Sequence, residues 1–347
     1  MKISELVKAD DKEIAVEPDD ILCFVAVRNE MLRIDHFVDY YRKFGVNKFF
    51  FADNDSSDGT KEYLDAQDDC YRYNTEGAYF VENISPPAWT NTLANVFGDG
   101  HWCLTVDADE LLVFPHSEHV DLRQFCAYLE SCGDEALYCA MIDMYPDGPV
   151  TAANYAPGSP FIESCRYFDP EPGWIWPRDG ECPQDQMFGG VRERVFWKGE
   201  KRNETPPCLN KIPLIKWRKG MKYLVSMHFH SGARLSAVTG NLLHFKFLEG
   251  FVETSKAQVK ANTGVVEKSL QERAAYLDEI DQNPHIVFRN EQSVFYEGTD
   301  QLVRLGWMRT SDKYEEHANA LSATKKLTRS QSGNEPQDTD ASADRYK

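Results

Sequence analysis

Nowhere do the 347 residues supply the roughly 18 consecutive apolar residues that a transmembrane helix needs. The first twenty, Met1 to Asp20, are charged and contain no apolar core of the kind a secretory leader requires. Positive charge is scarce: Lys and Arg number 38 against 56 Asp and Glu, a formal net charge of -18. A balance this acidic argues against nucleic acid or an anionic membrane as partner, because both select clustered cations; a local basic pocket for a phosphate is still compatible with it. None of the nine cysteines forms a C-x-x-C pair, so the paired spacing of a structural zinc site is missing. Their number is odd and Cys23 and Cys103 sit inside apolar runs, which reads as reduced core thiols. No internal repeat is visible. These absences lead us to expect a cytosolic setting, with at most peripheral contact with a membrane.

What is present is a strand–helix alternation. Ile21 to Val27 is an unbroken apolar run, the pattern of a strand buried on both faces, and it stops at Arg28-Asn29-Glu30. Met31, Ile34, Phe37, Val38, Tyr41 and Phe44 then recur at helical spacing up to Gly45. A second strand, Lys48 to Ala52, runs into Asp53-Asn54-Asp55-Ser56-Ser57-Asp58-Gly59-Thr60. Ala78 to Val81 reads as a third strand, Thr90 to Phe97 as a helix and His101 to Val106 as a fourth strand that stops at Asp107. This order predicts an α/β fold with a mainly parallel central sheet flanked by helices, whose ligands bind at the carboxyl ends of the strands. A helix near Asp121 to Cys132 and a strand from Leu137 to Met144 follow. Residues 145 to 220, rich in Pro, Gly, Trp and Arg, read as loops with short strands. Beyond them come a strand from Tyr223 to Met227 and helices over Phe245 to Ala261 and Ser269 to Asp281. We expect residues 1–20 to be an extension, residues 21–310 a single domain (a nucleotide-binding half to about residue 115, an acceptor half after it), and 322–347 a disordered polar tail.

Asp107-Ala108-Asp109-Glu110 lies between the apolar runs Trp102 to Val106 and Leu111 to Phe114. Carboxylates in that position are costly without a partner, and two of them one residue apart can share a hard divalent cation, Mg²⁺ or Mn²⁺. Such a cation would neutralise a diphosphate leaving group. In the Asp53 turn much of the chemistry is ordinary turn formation, with Asp58 suited to capping a helix.

Taken together, Val27-Arg28-Asn29-Glu30, the Asp53 to Thr60 block and Asp107-Ala108-Asp109-Glu110 resemble the family 2 glycosyltransferases of the GT-A fold. The likeness is strongest over residues 20 to 115 and looser to about residue 308, through Ile142 to Pro146, Gly189 to Arg192 and Leu242 to Phe247. The resemblance implies a GT-A type fold and transfer of a sugar from a nucleotide-diphosphate sugar, with Mn²⁺ or Mg²⁺, to a glycan, lipid-linked or protein acceptor. It implies that Arg28, Glu30 and Asp53 line the nucleotide site, Asp53 nearest the base, with Asp55 and Asp107 counted beside them. Asp107 and Asp109 would hold the metal, Asp109 more directly. A later histidine commonly joins them in this fold: His228 is the first candidate and His244 the second. The family is typically inverting, which calls for a general base; Asp143 and Glu193 are both candidates. Arg192, Arg194 and Lys246 could clamp a phosphate but equally suit surface charges. Gly173-Trp174-Ile175-Trp176-Pro177 could stack on an acceptor sugar, although packing onto the body is the preferred reading.

Three rival readings fit the sequence less well. An aspartyl phosphotransferase would carry Thr or Val where Leu111 stands and would leave the Asp53 block idle. A metal-dependent nucleotidyltransferase usually needs a Gly-rich basic loop near its first strand, unlike Arg28-Asn29-Glu30. A catalytically degenerate carbohydrate-binding module is disfavoured by the intact Asp107 and Asp109.

Overall fold

The computed structural model describes residues 2–3, 5–75, 87–177, 185–198, 206–224, 227–261 and 267–331. Its centre is a ten-stranded sheet. In chain order the strands are β1 (Lys2–Ile3), β2 (Leu6–Lys8), β3 (Ile21–Val27), β4 (Lys48–Asp53), β5 (Cys70–Asn74), β6 (Trp102–Thr105), β7 (Glu110–Val113) and β8 (Ala136–Asp143). Outside the sheet lie β9 (Tyr167–Phe168), β10 (Trp174–Trp176) and β11 (Gln186–Phe188); β12 (Asn210–Lys216) and β13 (Gly240–His244) return to it, and β14 (Val294–Phe295) pairs with β9. The order across the sheet is β1-β2-β5-β4-β3-β6-β12-β8-β13-β7. Strands β1, β3, β4, β5, β6, β8 and β13 run one way; β2, β7 and β12 run the other. The expected α/β architecture with a mainly parallel sheet is therefore present.

Helices α1 (Met31–Phe44), α2 (Thr60–Asp65), α3 (Pro87–Phe97) and α4 (Leu122–Cys132) cover the sheet. Alternate residues of β3 feed two cores. Ile21, Cys23, Val25 and Val27 join the α1 and α4 side with Ile34, Phe37, Phe125 and Leu129. Leu22, Phe24 and Ala26 join the α3 side with Trp89, Leu93 and Trp217. Both faces of β3 are buried, which is why its sequence is a solid apolar run rather than an alternation. Helix α1 buries Ile34, Phe37, Val38, Tyr41 and Phe44 and ends at Gly45, whose φ of 112° closes the helix. Asp121 and Gln124 form a reciprocal capping box at the start of α4.

Further along are α5 (Phe161–Ser164), α6 (Gly190–Phe196), α7 (Phe251–Ala261), α8 (Glu267–Gln282), α9 (Thr299–Leu305) and α10 (Asp312–Gln331). A third core joins α6, α7 and α8 through Val195, Phe196, Phe247, Phe251, Tyr276 and Phe288.

The structure departs from the sequence reading in several places. A parallel strand that the sequence reading missed, β5, pairs with β4; the expected strand from Ala78 to Val81 lies outside the described residues. The polar sequence of β5 hid it: Arg72 is buried there because Asp53 and Asp65 neutralise it. Residues 2–3 and 6–8, expected in an extension, add two strands to one side of the sheet, with β2 pairing β5 and β1 at the edge. The central strand β12 falls in the stretch read as loops. Phe245, read as the start of a helix, lies just past the end of β13 and leads into a turn, and α7 begins at Phe251. Tyr223 makes only an isolated bridge, to His230, with 225–226 outside the described residues. Helix α10 continues through the first ten residues of the expected tail, and 332–347 lie outside the described residues. Among the described residues eight cysteines are free thiols, in line with the core-thiol reading, and no helix is long and apolar enough to cross a membrane.

Candidate active site

Strand direction brings the polar ends together. Val27, Asp53, Thr105, Asp143 and His244 close strands that point the same way, and Glu110 and Asn210 open strands that start from the same edge. The register is direct. His244 faces Glu110 of β7 on one side and Asp143 of β8 on the other. Cross-strand neighbours at such positions hold their side chains within contact distance.

His244 Nδ1 lies 2.6 Å from Asp143 Oδ1, and its Nε2 lies 3.5 Å from Asp109 Oδ2. Asp143 Oδ2 accepts from Arg192 Nε at 2.7 Å, and Arg192 reaches on to Glu272 at 3.6 Å. A row of alternating charge, Asp109–His244–Asp143–Arg192–Glu272, thus crosses the strand ends. Burial alone would lower the His244 pKa, but Asp109 and Asp143 outweigh it and hold it at about 9. Burial would raise Asp143, yet Arg192 and His244 bring it down to about 2. Asp109 is likewise held well below the ordinary range, burial being overcome mainly by His244.

A second charge knot lies alongside. Lys211 Nζ, on β12, contacts Asp107 Oδ2 at 2.8 Å and Glu110 Oε1 at 2.5 Å. The other Glu110 oxygen accepts from the Asp107 backbone N–H at 3.1 Å. Burial opposes a charge on Lys211, but the two carboxylates more than offset this and keep it protonated. Glu30 enters from the end of β3, bonded to Arg33. Burial first, reinforced by the charges of Asp109 and Asp107 against the pull of Arg33, lifts its pKa to about 7.

Asp109, Glu110 and His244 each offer a ligand atom, all within 4.8 Å of one another, the one such group among the described residues. Both Glu110 oxygens are already engaged. The better placed donors are Asp109 and His244 Nε2. A histidine fixed by a carboxylate at Nδ1 and presenting Nε2 is the usual arrangement of a metal-bound imidazole. The donor set therefore fits a divalent cation, provided the His244 proton leaves when the cation arrives.

Not every predicted site residue joins this cluster. His228, the first histidine candidate, is outside the group; its Nδ1 sits 2.5 Å from the Asn210 carbonyl, and burial followed by the charge of Lys211 lowers its pKa to about 4. Asp107 is bonded to Lys211 rather than grouped with the metal-capable donors. Asp53, expected to face a nucleotide base, is 0% exposed: Oδ1 accepts from Ser56 N and Oδ2 pairs with Arg72 at 3.3 Å. It orders its own turn. Asp55, with φ of 55°, is exposed and paired with Lys61. Arg28 is exposed and donates to Asn54. Asp143, a candidate base, has both oxygens bonded and a depressed pKa, so it is a poor proton acceptor and instead fixes His244. Glu193, the other candidate base, lines a surface cleft and accepts from Trp174 Nε1 at 3.1 Å. Lys211 escaped the sequence reading altogether. A lysine inside the run Leu209 to Ile215 is the same anomaly that drew attention to Asp107 and could have been read the same way.

No family model matches the chain, and no curated protein matches it. Among solved structures it is similar to a UDP-glucose pyrophosphorylase from Acinetobacter baumannii, with 11% identity over 83% of this chain and 91% of that one and a TM-score of 0.27. A 4-diphosphocytidyl-2C-methyl-D-erythritol synthase from Anaerococcus prevotii aligns at 9% identity over 83% and 97%, with a TM-score of 0.23. At TM-scores this low neither fold nor function follows from the likeness.

Proposed function

We propose that the protein is a metal-assisted glycosyltransferase of the family 2 type, moving a sugar from a nucleotide-diphosphate donor to an acceptor hydroxyl. The observation that carries this reading is the Asp109–His244–Asp143 row at the carboxyl ends of the strands, with Glu30 and Asp107 beside it. A bound Mn²⁺ or Mg²⁺ would supply charge neutralisation for the departing diphosphate. Asp109 and His244 would hold it, and Asp143, itself clamped by Arg192, would fix the histidine tautomer. Burial lowers the pKa of Lys246, which lies within reach of the charges of Glu272 and Asp109 and suits a phosphate contact. In the transfer, the acceptor oxygen forms a bond to the anomeric carbon as the carbon–oxygen bond to the diphosphate breaks. The electron pair leaves on the phosphate oxygen, and the hydroxyl proton passes to a carboxylate. Of the two candidates Glu193 is the accessible one. The test is product analysis after incubation with UDP- and GDP-sugars, with and without Mn²⁺. Metal-dependent release of nucleoside diphosphate supports transfer. Pyrophosphate released from a nucleoside triphosphate and a sugar phosphate would identify a nucleotidyltransferase instead.

A further inference from the structure

The hairpin of β10 and β11 stands at the surface, and its side chains are unusual for that position. Trp174, Ile175 and Trp176 are 45%, 55% and 59% exposed. Exposed tryptophans are expensive to leave in water, and a pair on one strand marks a binding surface more often than a packing one. Alternation puts Trp174 and Trp176 on the same face of β10, with ring centroids 6.3 Å apart. Trp174 is held from behind by Phe188 at 4.8 Å and at its edge by the bond from Nε1 to Glu193. The base of the hairpin is close-packed: a Cβ on Gly173 would fall 1.9 Å from the Phe188 carbonyl oxygen, and one on Gly189, where φ is 136°, 2.7 Å from Gly173 Cα. Glycine at both places lets the two strands meet closely where β11 leads into α6.

Trp174 forms one wall of a cleft of about 470 Å³, within the usual range of roughly 300–1,000 Å³ for small-molecule sites. Gly190 lies in its floor, and a Cβ there would stand 3.9 Å from Asp143 Oδ2. Asp143 in turn holds His244, so a residue lining the cleft lies beside the carboxylate that fixes the candidate metal ligand. The charged lining of the cleft is Asp169, Glu171, Glu193 and Arg194, three carboxylates against one guanidinium. Arg194 is already paired with Asp169 at 2.8 Å.

We propose that this cleft is the acceptor subsite and that it takes a neutral pyranose ring stacked on Trp174, whose strand face Trp176 extends beyond the cleft. The ring's C–H bonds would meet the electron-rich face of the Trp174 indole, and its hydroxyls would donate to Glu171 and Glu193. The excess of carboxylates selects against an anionic sugar or a phosphorylated acceptor. The proposal rests on the glycosyltransferase reading for the word acceptor but not for the binding itself.

The full-length protein is examined by saturation-transfer difference NMR with methyl β-D-glucopyranoside, methyl β-D-galactopyranoside, methyl N-acetyl-β-D-glucosaminide and methyl β-D-glucuronide. At least one neutral glycoside should receive saturation from the protein, and the glucuronide should bind at least about tenfold more weakly, a difference of about 1.4 kcal/mol. Trp174→Ala should raise the Kd of that glycoside at least about tenfold; Trp174→Phe, which keeps an aromatic ring but not the bond to Glu193, should raise it less and shows that the loss is not a failure to fold. No signal from any neutral glycoside, a glucuronide that binds best, or a Kd indifferent to Trp174→Ala overturns the proposal. Thermal shift of the wild-type protein with UDP- and GDP-sugars and Mn²⁺ separates the two readings. Donor binding without tryptophan-dependent glycoside binding removes this subsite alone. Glycoside binding without donor binding removes the glycosyltransferase reading and leaves a carbohydrate-binding cleft.

Discussion

The turn after β4 and the cluster after β6 look alike in sequence, each a burst of acidic residues at the end of an apolar strand. They do different work. In the turn the polar groups are met within it and by its immediate neighbours in the sheet: Asp53 binds Ser56 and, on the adjacent strand β5, Arg72, Asp58 accepts from Met31 N and Thr60, and Asn29 accepts from Ser57 N. Asp58 and Thr60 thereby tie the starts of α1 and α2 together. In the cluster the charges outnumber their local partners, and compensation comes from distant strands: His244, Lys211 and Arg192. A turn whose polar groups are met within it and by the adjacent strand is architecture. Charge balanced only from far along the chain carries a cost in stability that the whole fold must offset, and under the proposed function it is what would hold a ligand.

The sharpest way to break this contrast is Lys211→Met. It strands the fully buried Glu110 and half-exposed Asp107 without a cation, and should lower stability by about 3–5 kcal/mol, read from urea denaturation. A loss near zero would mean that the cluster does not depend on β12.

A pH series on metal-free protein comes next. His244 is raised from 6.5 to about 9, so its contribution is complete below pH 6.5 and fades as pH rises through 9. Asp143 is lowered from 3.8 to about 2, so its contribution holds above pH 3.8 and fades as pH falls through 2. Melting temperature should therefore decline on the alkaline side over pH 6.5–9, by the equivalent of roughly 1–3 kcal/mol. Saturating Mn²⁺ should flatten that decline, since the cation replaces the His244 proton. An alkaline limb that Mn²⁺ leaves untouched would count against His244 as a ligand.

The gentlest probe is the turn itself. Asp53→Asn weakens bonds to Arg72 and Ser56 and should cost about 1–2 kcal/mol of stability. Donor affinity in the folded fraction should hold. A protein that melts normally but loses nucleotide binding would give Asp53 the base-reading role implied by the family resemblance.

Much of the scaffold was legible from the chain. Ile21 to Val27, the α1 periodicity and Trp102 to Thr105 announced themselves because apolar side chains fill both sides of a central sheet. Strands β5 and β12 did not, because each carries a charged residue, Arg72 or Lys211, that is tolerable only beside partners distant in sequence. The site divided the same way. Asp107 and Asp109 stood out as acids between two apolar runs. That His244 rather than His228 meets Asp109 depends on the pairing of β13 with β7 and β8, and His244 and Asp143 are 101 residues apart. No local pattern encodes that register.

The proposed function depends most on Asp109. Asn is nearly isosteric, keeps a neutral oxygen and removes the charge that would hold a divalent cation. The decisive measurement is release of nucleoside diphosphate from the donor as Mn²⁺ is titrated, for wild type and Asp109→Asn. The account predicts saturable, chelator-sensitive turnover in the wild type and a drop of about a thousandfold or more in the variant, close to 4 kcal/mol at the transition state. Equal rates for the two proteins, or wild-type turnover unaffected by chelator, would contradict it.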